Sequence, residues 1–261
     1  MDILSTIAST KRLEVEAMKK IIAPEAMQRM ALETERPTLS MKSSIISKKP
    51  GIIAEHKRRS PSKGEIAPMS DVASIAQGYY QAGAAAMSVL TDTPYFGGSL
   101  EDLAVARLHA PHLPLLRKEF IIDSYQIYAA RVYGADAVLL IASLLSRDEI
   151  AILNATAHKL GLETLVEIHS PQEIASVPEN ADMVGVNNRN LSTFNTDLSN
   201  SSRLIELLPK EMVKIAESGI RSPEDIGPLT DIGFDGFLIG EALMSTPSPA
   251  QTLKSFTHIQ K

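Results

Sequence analysis

The sequence predicts an α/β fold, a (β/α)8 TIM barrel with an N-terminal helical extension. Three observations carry that expectation. After Gly51, eight short apolar runs alternate with amphipathic stretches, as successive strand–helix units would. From Glu55 to Ile239 the units recur about every 26 residues, the rhythm of a barrel that typically takes about 250 residues. No Gly-x-Gly-x-x-Gly turn follows the first run, which argues against an open doubly wound sheet.

In chain order, Ile3, Ile7, Leu13, Met18 and Ile22 recur at roughly helical spacing among charges, and a second helical stretch runs from Pro24 to Glu33. Residues 1–49 therefore read as a helical cap, and 1–261 as a single barrel domain that includes it. Strands are expected at 52–56, 85–90, 113–117, 137–142, 164–168, 183–187, 213–216 and 236–239. Helices are expected over 71–82, 100–109, 124–133, 148–160, 171–177, 199–208 and 223–229, with a final C-terminal stretch. Ser146 before Asp148 and Glu149, Ser170 before Pro171 and Ser222 before Pro223 offer capping hydroxyls at helix starts. Gly83, Gly134, Gly161 and Gly233 each stand just past a helix and before the next apolar run.

Composition narrows the function. A hydrophobic content of 44% excludes disorder, and 26 basic against 31 acidic residues leave a net charge of −5, without the basic excess that phosphate-backbone binding uses. No nucleic-acid partner is expected. Cysteine is absent, which removes disulfides, thiolate catalysis and thiolate-ligated metals together and suits a cytoplasmic protein. Charges at Lys11, Arg12, Glu14 and Glu16 interrupt the N-terminal stretch before a signal-peptide core forms. The longest apolar run, 137–145, is too short to cross a bilayer, so no membrane partner is expected.

In such a barrel the active site lies at the C-terminal ends of the strands. Here those ends are polar: Glu55 with Lys57 two residues on, Lys118, Glu167, Asn187 with Arg189 two residues on, then Glu217 and Ser218. Residues i and i+2 of a strand share a face, so Glu55 and Lys57 are expected to look into one mouth, as are Asn187 and Arg189. A single polar strand end is only a strand meeting solvent. Two lysines, an arginine and three glutamates around one opening would repel or desolvate each other unless each met an opposite partner or a ligand.

A second pattern concerns phosphate. Ser218–Gly219 follows strand seven, and Gly240–Glu241 follows strand eight before a short helix; barrels often hold phosphate there, on backbone N–H groups that glycine leaves accessible. The Glu241 side chain would have to turn away and leave only its amide. His109 and His112 are separated by Pro111 and lack a carboxylate cluster, so they read as surface histidines rather than a metal pair. His169, two residues after Glu167, faces the mouth or caps the next helix. The run Lys57, Arg58, Arg59 is too short, and too poor in aromatics, for a nucleic-acid site.

Across essentially the whole chain these residues resemble the indole-3-glycerol phosphate synthase family, the barrel enzymes of tryptophan biosynthesis. The resemblance rests on AEHKRRSPSKG at 54–64, SVLTD at 88–92 with FGGS at 96–99, LPLLRKEFIIDSYQ at 113–126, GADAVLLIA at 134–142, LVEIH at 165–169, GVNNRNL at 185–191, IAESGI at 215–220 and FLIGEALM at 237–244. The first and third of the barrel-mouth segments are the most specific; the last two also occur, in looser form, in other phosphate-binding barrels.

The resemblance implies a carboxy-lyase that closes 1-(2-carboxyphenylamino)-1-deoxyribulose 5-phosphate to an indole with loss of carbon dioxide and water, using no cofactor and no metal. It implies that Lys118 is the general acid for ring closure, that Glu167 faces the cationic intermediate, that Glu55 serves dehydration, and that Lys57 is a mobile-loop lysine meeting a substrate anion. Asn187 and Ser218 join these as catalytic candidates; Ser60, Arg189 and Glu217 are polar substrate contacts; Phe96, Phe120, Leu139 and Ile141 are apolar walls; Gly219, Gly240 and the Glu241 amide form the phosphate cradle. Ser60 to Lys63 reads as a lid, with Gly64 after it. His56 stands where the family usually has an apolar residue and should point away from the mouth. A monomer acting on a small phosphorylated substrate is expected. The alternatives are a related barrel such as phosphoribosylanthranilate isomerase, or a barrel that binds a phosphorylated ligand without turnover.

Overall fold

The computed structural model describes residues 3–189 and 196–258; Asn190 and Leu191, the end of the segment at 185–191, lie outside the described residues. Eight parallel strands close into a barrel: β1 (Gly51–His56), β2 (Ala86–Leu90), β3 (Leu115–Lys118), β4 (Ala137–Ile141), β5 (Glu163–Ile168), β6 (Met183–Asn187), β7 (Val213–Glu217) and β8 (Gly236–Ile239). Each pairs with the next, and β8 closes on β1 with Gly51 beside Gly236 and Ala54 beside Ile239.

Strand alternation sorts the core into two layers. Ile53, Leu116, Leu139, Leu165, Ile215 and Leu238 form one cluster inside the barrel. Their neighbours Ile52, Leu115, Leu140, Val166, Ala216 and Phe237 belong to the larger cluster between strands and helices. Successive side chains of a strand point to opposite faces, so apolar runs covered on both sides are what a closed parallel sheet requires. His56 follows the outer set: it is 1% exposed, its Nε2 is 2.9 Å from Ser70 Oγ, and burial, aided by Arg58, holds its pKa down at about 4.

Three helices precede the barrel, α1 (Ile3–Ile21), α2 (Pro24–Leu32) and α3 (Met41–Ser47). The first two match the expected periodicity; the third is not foreseen, because the seven residues MKSSIIS offer only about two turns of pattern. Ser40 caps it by accepting from Ser43 N, and Met41 and Ile45, both fully buried, join the interior cluster. α3 thus plugs the N-terminal end of the barrel. A Cβ at Gly51 or Gly236 would come within 2.7 or 2.9 Å of Ile45, so glycine is what admits the plug. α1 is held by Lys11, 3% exposed, whose Nζ lies 3.0 Å from Asp92 Oδ2 and 3.1 Å from Glu119 Oε1.

The remaining helices lie between and after the strands: α4 (Val72–Gln81), α5 (Thr93–Phe96), α6 (Leu100–His109), α7 (Ser124–Val132), α8 (Arg147–Lys159), α9 (Ser199–Ile205), α10 (Ile226–Asp231), α11 (Glu241–Met244) and α12 (Pro249–Thr257). Ser146 and Glu149 cap α8 reciprocally, and Gly83, Gly134, Gly161 and Gly233 all take positive φ where the preceding helices stop. Two units depart from expectation. The segment after β5 is a 3-10 helix, Pro171–Ser176, and Ser170 does not cap it: its hydroxyl donates to Glu173 instead. The segment after β7 begins as a 3-10 turn, Pro223–Asp225, where Asp225 accepts from the Arg221 and Ser222 N–H groups. After β5 a carboxylate reaching back replaces the hydroxyl and a short 3-10 helix stands in for a full one, whereas after β7 Ser222 and Asp225 cap reciprocally, as expected, and the turn runs on into α10. No described helix is long and apolar enough to cross a membrane.

Candidate active site

At the C-terminal end the inward positions change from aliphatic to charged. They surround a cavity of about 700 Å³, and every site residue singled out from the sequence lines it. Lys118, ending β3, reaches across the barrel: its Nζ donates to Glu167 Oε2 at 2.7 Å and to Glu217 Oε2 at 3.1 Å. On the other side Lys57 Nζ donates to Glu55 Oε1 at 2.7 Å, so the i, i+2 pair does share the mouth.

Two glycines make room for these carboxylates. A Cβ on Gly185 would lie 2.1 Å from Glu217 Oε1, and one on Gly240 would lie 2.2 Å from Glu55 Oε1. Gly240 therefore has a steric duty that its reading as a phosphate contact did not anticipate.

Burial and pairing set the charges. Burial alone would depress the Lys118 pKa, but Glu167, Glu217 and Glu55 outweigh it and raise it above the usual lysine value. Burial likewise opposes ionisation of Glu167, yet Lys118 and His169 hold its pKa below the usual carboxylate range. Glu217 goes the other way: burial raises its pKa, and the negative charge of Glu167 adds to this against the pull of Lys118. Glu217 Oε1 has no hydrogen-bond partner. The trio thus presents an ammonium, an ionised carboxylate and a carboxyl that tends to keep its proton, which is a set of groups able to move protons at neutral pH.

The walls are mixed. Phe96, from α5, and Phe120, just after β3, meet as a tilted pair, 40° between planes and 6.0 Å between ring centroids, and Leu139 and Ile141 of β4 also line the cavity. Asn187 accepts from the Arg189 N–H through Oδ1. Arg189 donates to Ser62 Oγ, and its Nη2 is 3.4 Å from Glu241 Oε2; Lys63 Nζ is 3.3 Å from the other oxygen of Glu241. Glu241 therefore does not turn away: its side chain joins Lys63, in the loop after β1, to Arg189, after β6, and these cations, against a burial penalty, lower its pKa. Ser218 and Gly219 both take left-handed backbone, φ 63° and 87°, a sharp turn at the end of β7 that is uncommon for a serine.

The sequence reading missed part of the lining. Ile3, Leu4 and Ile7 of α1 form an apolar wall, and Ser62, Lys63 and Glu119 also face the cavity. The spacing of Ile3 and Ile7 was visible as a helix stripe, but nothing in it says which surface it covers. His169 is not among the lining residues and lies behind Glu167, with Nε2 3.3 Å from Glu167 Oε1. His109 and His112 are part of no metal cluster, and among the described residues no group of three or more His, Asp or Glu is arranged to hold a metal.

Comparison with known proteins follows this geometry. A family model for indole-3-glycerol phosphate synthase matches residues 4–256. The chain is 49% identical to the indole-3-glycerol phosphate synthase of Bacteroides thetaiotaomicron, over 98% of this chain and 97% of that one. It is 43% identical to those of Salinibacter ruber, over 97% and 94%, and Carboxydothermus hydrogenoformans, over 96% and 98%. Among solved structures it is similar to 3-hexulose-6-phosphate synthase from Salmonella typhimurium, with a TM-score of 0.63, 14% identity and coverage of 79% and 96%. It is also similar to tryptophan synthase subunit alpha from Legionella pneumophila, with a TM-score of 0.59, 13% identity and coverage of 84% and 97%. At that identity the structural likeness concerns the barrel alone.

Proposed function

The chain belongs to the indole-3-glycerol phosphate synthase family, and on that premise we propose that its mouth converts 1-(2-carboxyphenylamino)-1-deoxyribulose 5-phosphate to indole-3-glycerol phosphate, releasing one carbon dioxide and one water. The observation that carries this reading is Lys118 held between Glu167 and Glu217 at the floor of a cavity with apolar walls.

Ring closure joins the aromatic carbon that bears the carboxylate to the ketone carbon, and the ketone oxygen must gain a proton as the bond forms. Lys118, charged and pointing into the cavity, is the donor. The new bond leaves positive charge on the anilino nitrogen and ring, which Glu167 offsets from a site of restricted water access. Loss of carbon dioxide restores the aromatic ring. Dehydration then breaks the carbon–oxygen bond: Lys57 protonates the departing hydroxyl, and Glu55, its 2.7 Å partner, takes the proton that leaves the ring system. Asn187 and Ser218 orient the reacting hydroxyls, and Glu217 hydrogen-bonds substrate from beside Lys118.

Phe96, Phe120, Leu139 and Ile141 bracket the anthranilate ring and keep water from the intermediates. The substrate phosphate lies at the turns after β7 and β8, on the backbone of Gly219, Gly240 and Glu241, with Ser60 and Arg189 closing over it. The reading takes residues 1–49 and the barrel as one domain acting as a cytoplasmic monomer, and light scattering tests the oligomeric state. For the reaction itself, purified protein mixed with substrate and no added metal should develop indole fluorescence. Folded protein that yields none overturns the reading.

A further inference from the structure

Two residues past Glu167 the chain leaves the barrel mouth, and His169 is carried behind the site rather than into it. Its side chain is 13% exposed, with Nε2 3.3 Å from Glu167 Oε1 and Nδ1 3.6 Å from Glu173 Oε2. The backbone at the ring is held on both sides, His169 N donating to Glu173 Oε2 at 2.7 Å and the His169 carbonyl accepting from Asn200 Nδ2 at 3.2 Å, while the two buried ring nitrogens make ion-pair contacts longer than hydrogen bonds. Glu173 is held in turn by Ser170 Oγ at 3.1 Å. Glu167 therefore meets a cationic group on each oxygen, Lys118 on Oε2 and His169 on Oε1.

We propose that His169 is a positioning residue for the ring-closing step, an imidazolium braced by Glu173 that keeps the Glu167 carboxylate ionised and turned toward Lys118. The inference rests on the reading of Lys118 as acid and Glu167 as the carboxylate facing the intermediate. When Lys118 gives its proton to the ketone oxygen, Glu167 loses its nearer cation while Glu217 still stands beside it. A buried carboxylate in that position would take up a proton and lose its value against the cationic intermediate. His169 is the charge that remains.

Both ring nitrogens need protons for this, because each faces a carboxylate and a lone pair there would be repelled. The titratable groups facing the ring are the carboxylates of Glu167 on β5 and Glu173 on the 3-10 helix and the carboxyl of Glu217 on β7, with Lys118 of β3 beyond Glu167. Burial works against the imidazolium, but the carboxylates outweigh it and raise the pKa above the ordinary histidine value. The protonated form therefore persists above the pH at which an ordinary histidine loses its proton, and is lost as pH rises through the raised pKa.

The experiment measures kcat and KM against pH for the wild type, His169→Gln, Glu173→Gln and Glu167→Gln, with a histidine NMR titration of each folded protein. In the wild type kcat should fall as His169 deprotonates. His169→Gln should lower kcat about tenfold below that limb, remove the limb and leave KM within about twofold. Glu173→Gln deletes one of the anions that raise the His169 pKa, so the NMR midpoint and the kinetic limb should move down together, by about one pH unit.

A folded His169→Gln enzyme with wild-type kcat and limb overturns the inference. So does Glu173→Gln if it shifts the NMR midpoint and leaves the kinetic limb in place, which decides the matter even if His169→Gln does not fold. Glu167→Gln separates the two levels: full activity there overturns the catalytic reading, whereas an inactive Glu167→Gln beside an unchanged His169→Gln overturns only the role of His169.

Discussion

The two ends of the barrel are made by the same eight strands and the same inward alternation, yet they hold opposite interiors. At the N-terminal end Ile53, Ala86, Ala137 and Met183 close over Met41 and Ile45 of the α3 plug, and all are fully buried. Two to four residues further along their strands, the inward positions become Glu55, Lys118, Glu167, Asn187 and Glu217 around open space. The first end fits aliphatic surface together and gains stability from excluding water. The second gathers three carboxylates and an ammonium where each costs desolvation, offset only through the others. Stability and chemistry are thus separated along the barrel axis, and substitutions should separate in the same way.

The largest effect belongs to the charged end. Lys118→Met keeps the length of the stem and removes the proton that Glu167 and Glu217 hold in place; kcat should fall about 10³-fold, read from the rise of indole fluorescence. A loss below tenfold would mean that Lys118 is not the acid for ring closure. The closed end answers with the reverse pattern. Ile45→Ala empties space beside Gly51 and Gly236 and should cost about 2–5 kcal/mol in urea unfolding, while kcat/KM on the folded enzyme stays within about twofold. A parallel loss of activity would show that the plug sets the geometry of the mouth and that the two ends are coupled.

How much of this the sequence discloses depends on the physical rule at work. Strand ends are legible because a buried strand must be apolar and a Glu or Lys closing an apolar run stands out; Glu55, Lys118, Glu167 and Glu217 were all found that way, and all line the cavity. The α3 plug is illegible because its seven residues carry three serines and only two of its side chains matter. Lys11 is illegible for the opposite reason: in a charged helix one more lysine looks solvated, and only the fold brings Asp92 and Glu119 to it. The N-terminal wall of Ile3, Leu4 and Ile7 shows that a helix stripe announces burial without naming its partner. The side-chain direction of Glu241 was misjudged because its partners, Lys63 and Arg189, come from two other loops.

A third substitution tests whether the charged end is kept at a cost in stability. The Glu217 pKa is raised mainly by burial. The folded state therefore holds this proton where the unfolded chain releases it, and stability is lost as pH climbs from the ordinary carboxylate pKa through the raised one. Glu217→Gln cannot ionise and escapes that loss. Relative to the wild type it should become progressively more stable between pH 5 and pH 8, by up to about 1.4 kcal/mol for each pH unit, although kcat falls. Glu167 works in a different window: its lowered pKa adds stability that is lost only as pH falls toward strongly acid values. If the stability of Glu217→Gln tracks the wild type across pH, Glu217 is ionised in the folded protein and the division of charge within the trio is wrong.

The smallest effect concerns the rim, where the charged end meets solvent. Glu241 is half-exposed, 38% at its side chain, and holds both Lys63 and Arg189. On the proposed phosphate site this carboxylate competes with the substrate for the same cations, so an incoming phosphate must take over Arg189 from it. Glu241→Ser removes the competitor and keeps the backbone amide. Ion pairs this exposed are worth about 0.2–1 kcal/mol each, so KM should fall about two- to fivefold with little change in kcat. Added salt screens both the pairs and the competition, so the advantage of Glu241→Ser should shrink at high ionic strength. A rise in KM would carry the opposite meaning, that Glu241 is needed to aim Arg189 and Lys63, and the rim would then belong with the positioning groups of the mouth rather than with its competitors.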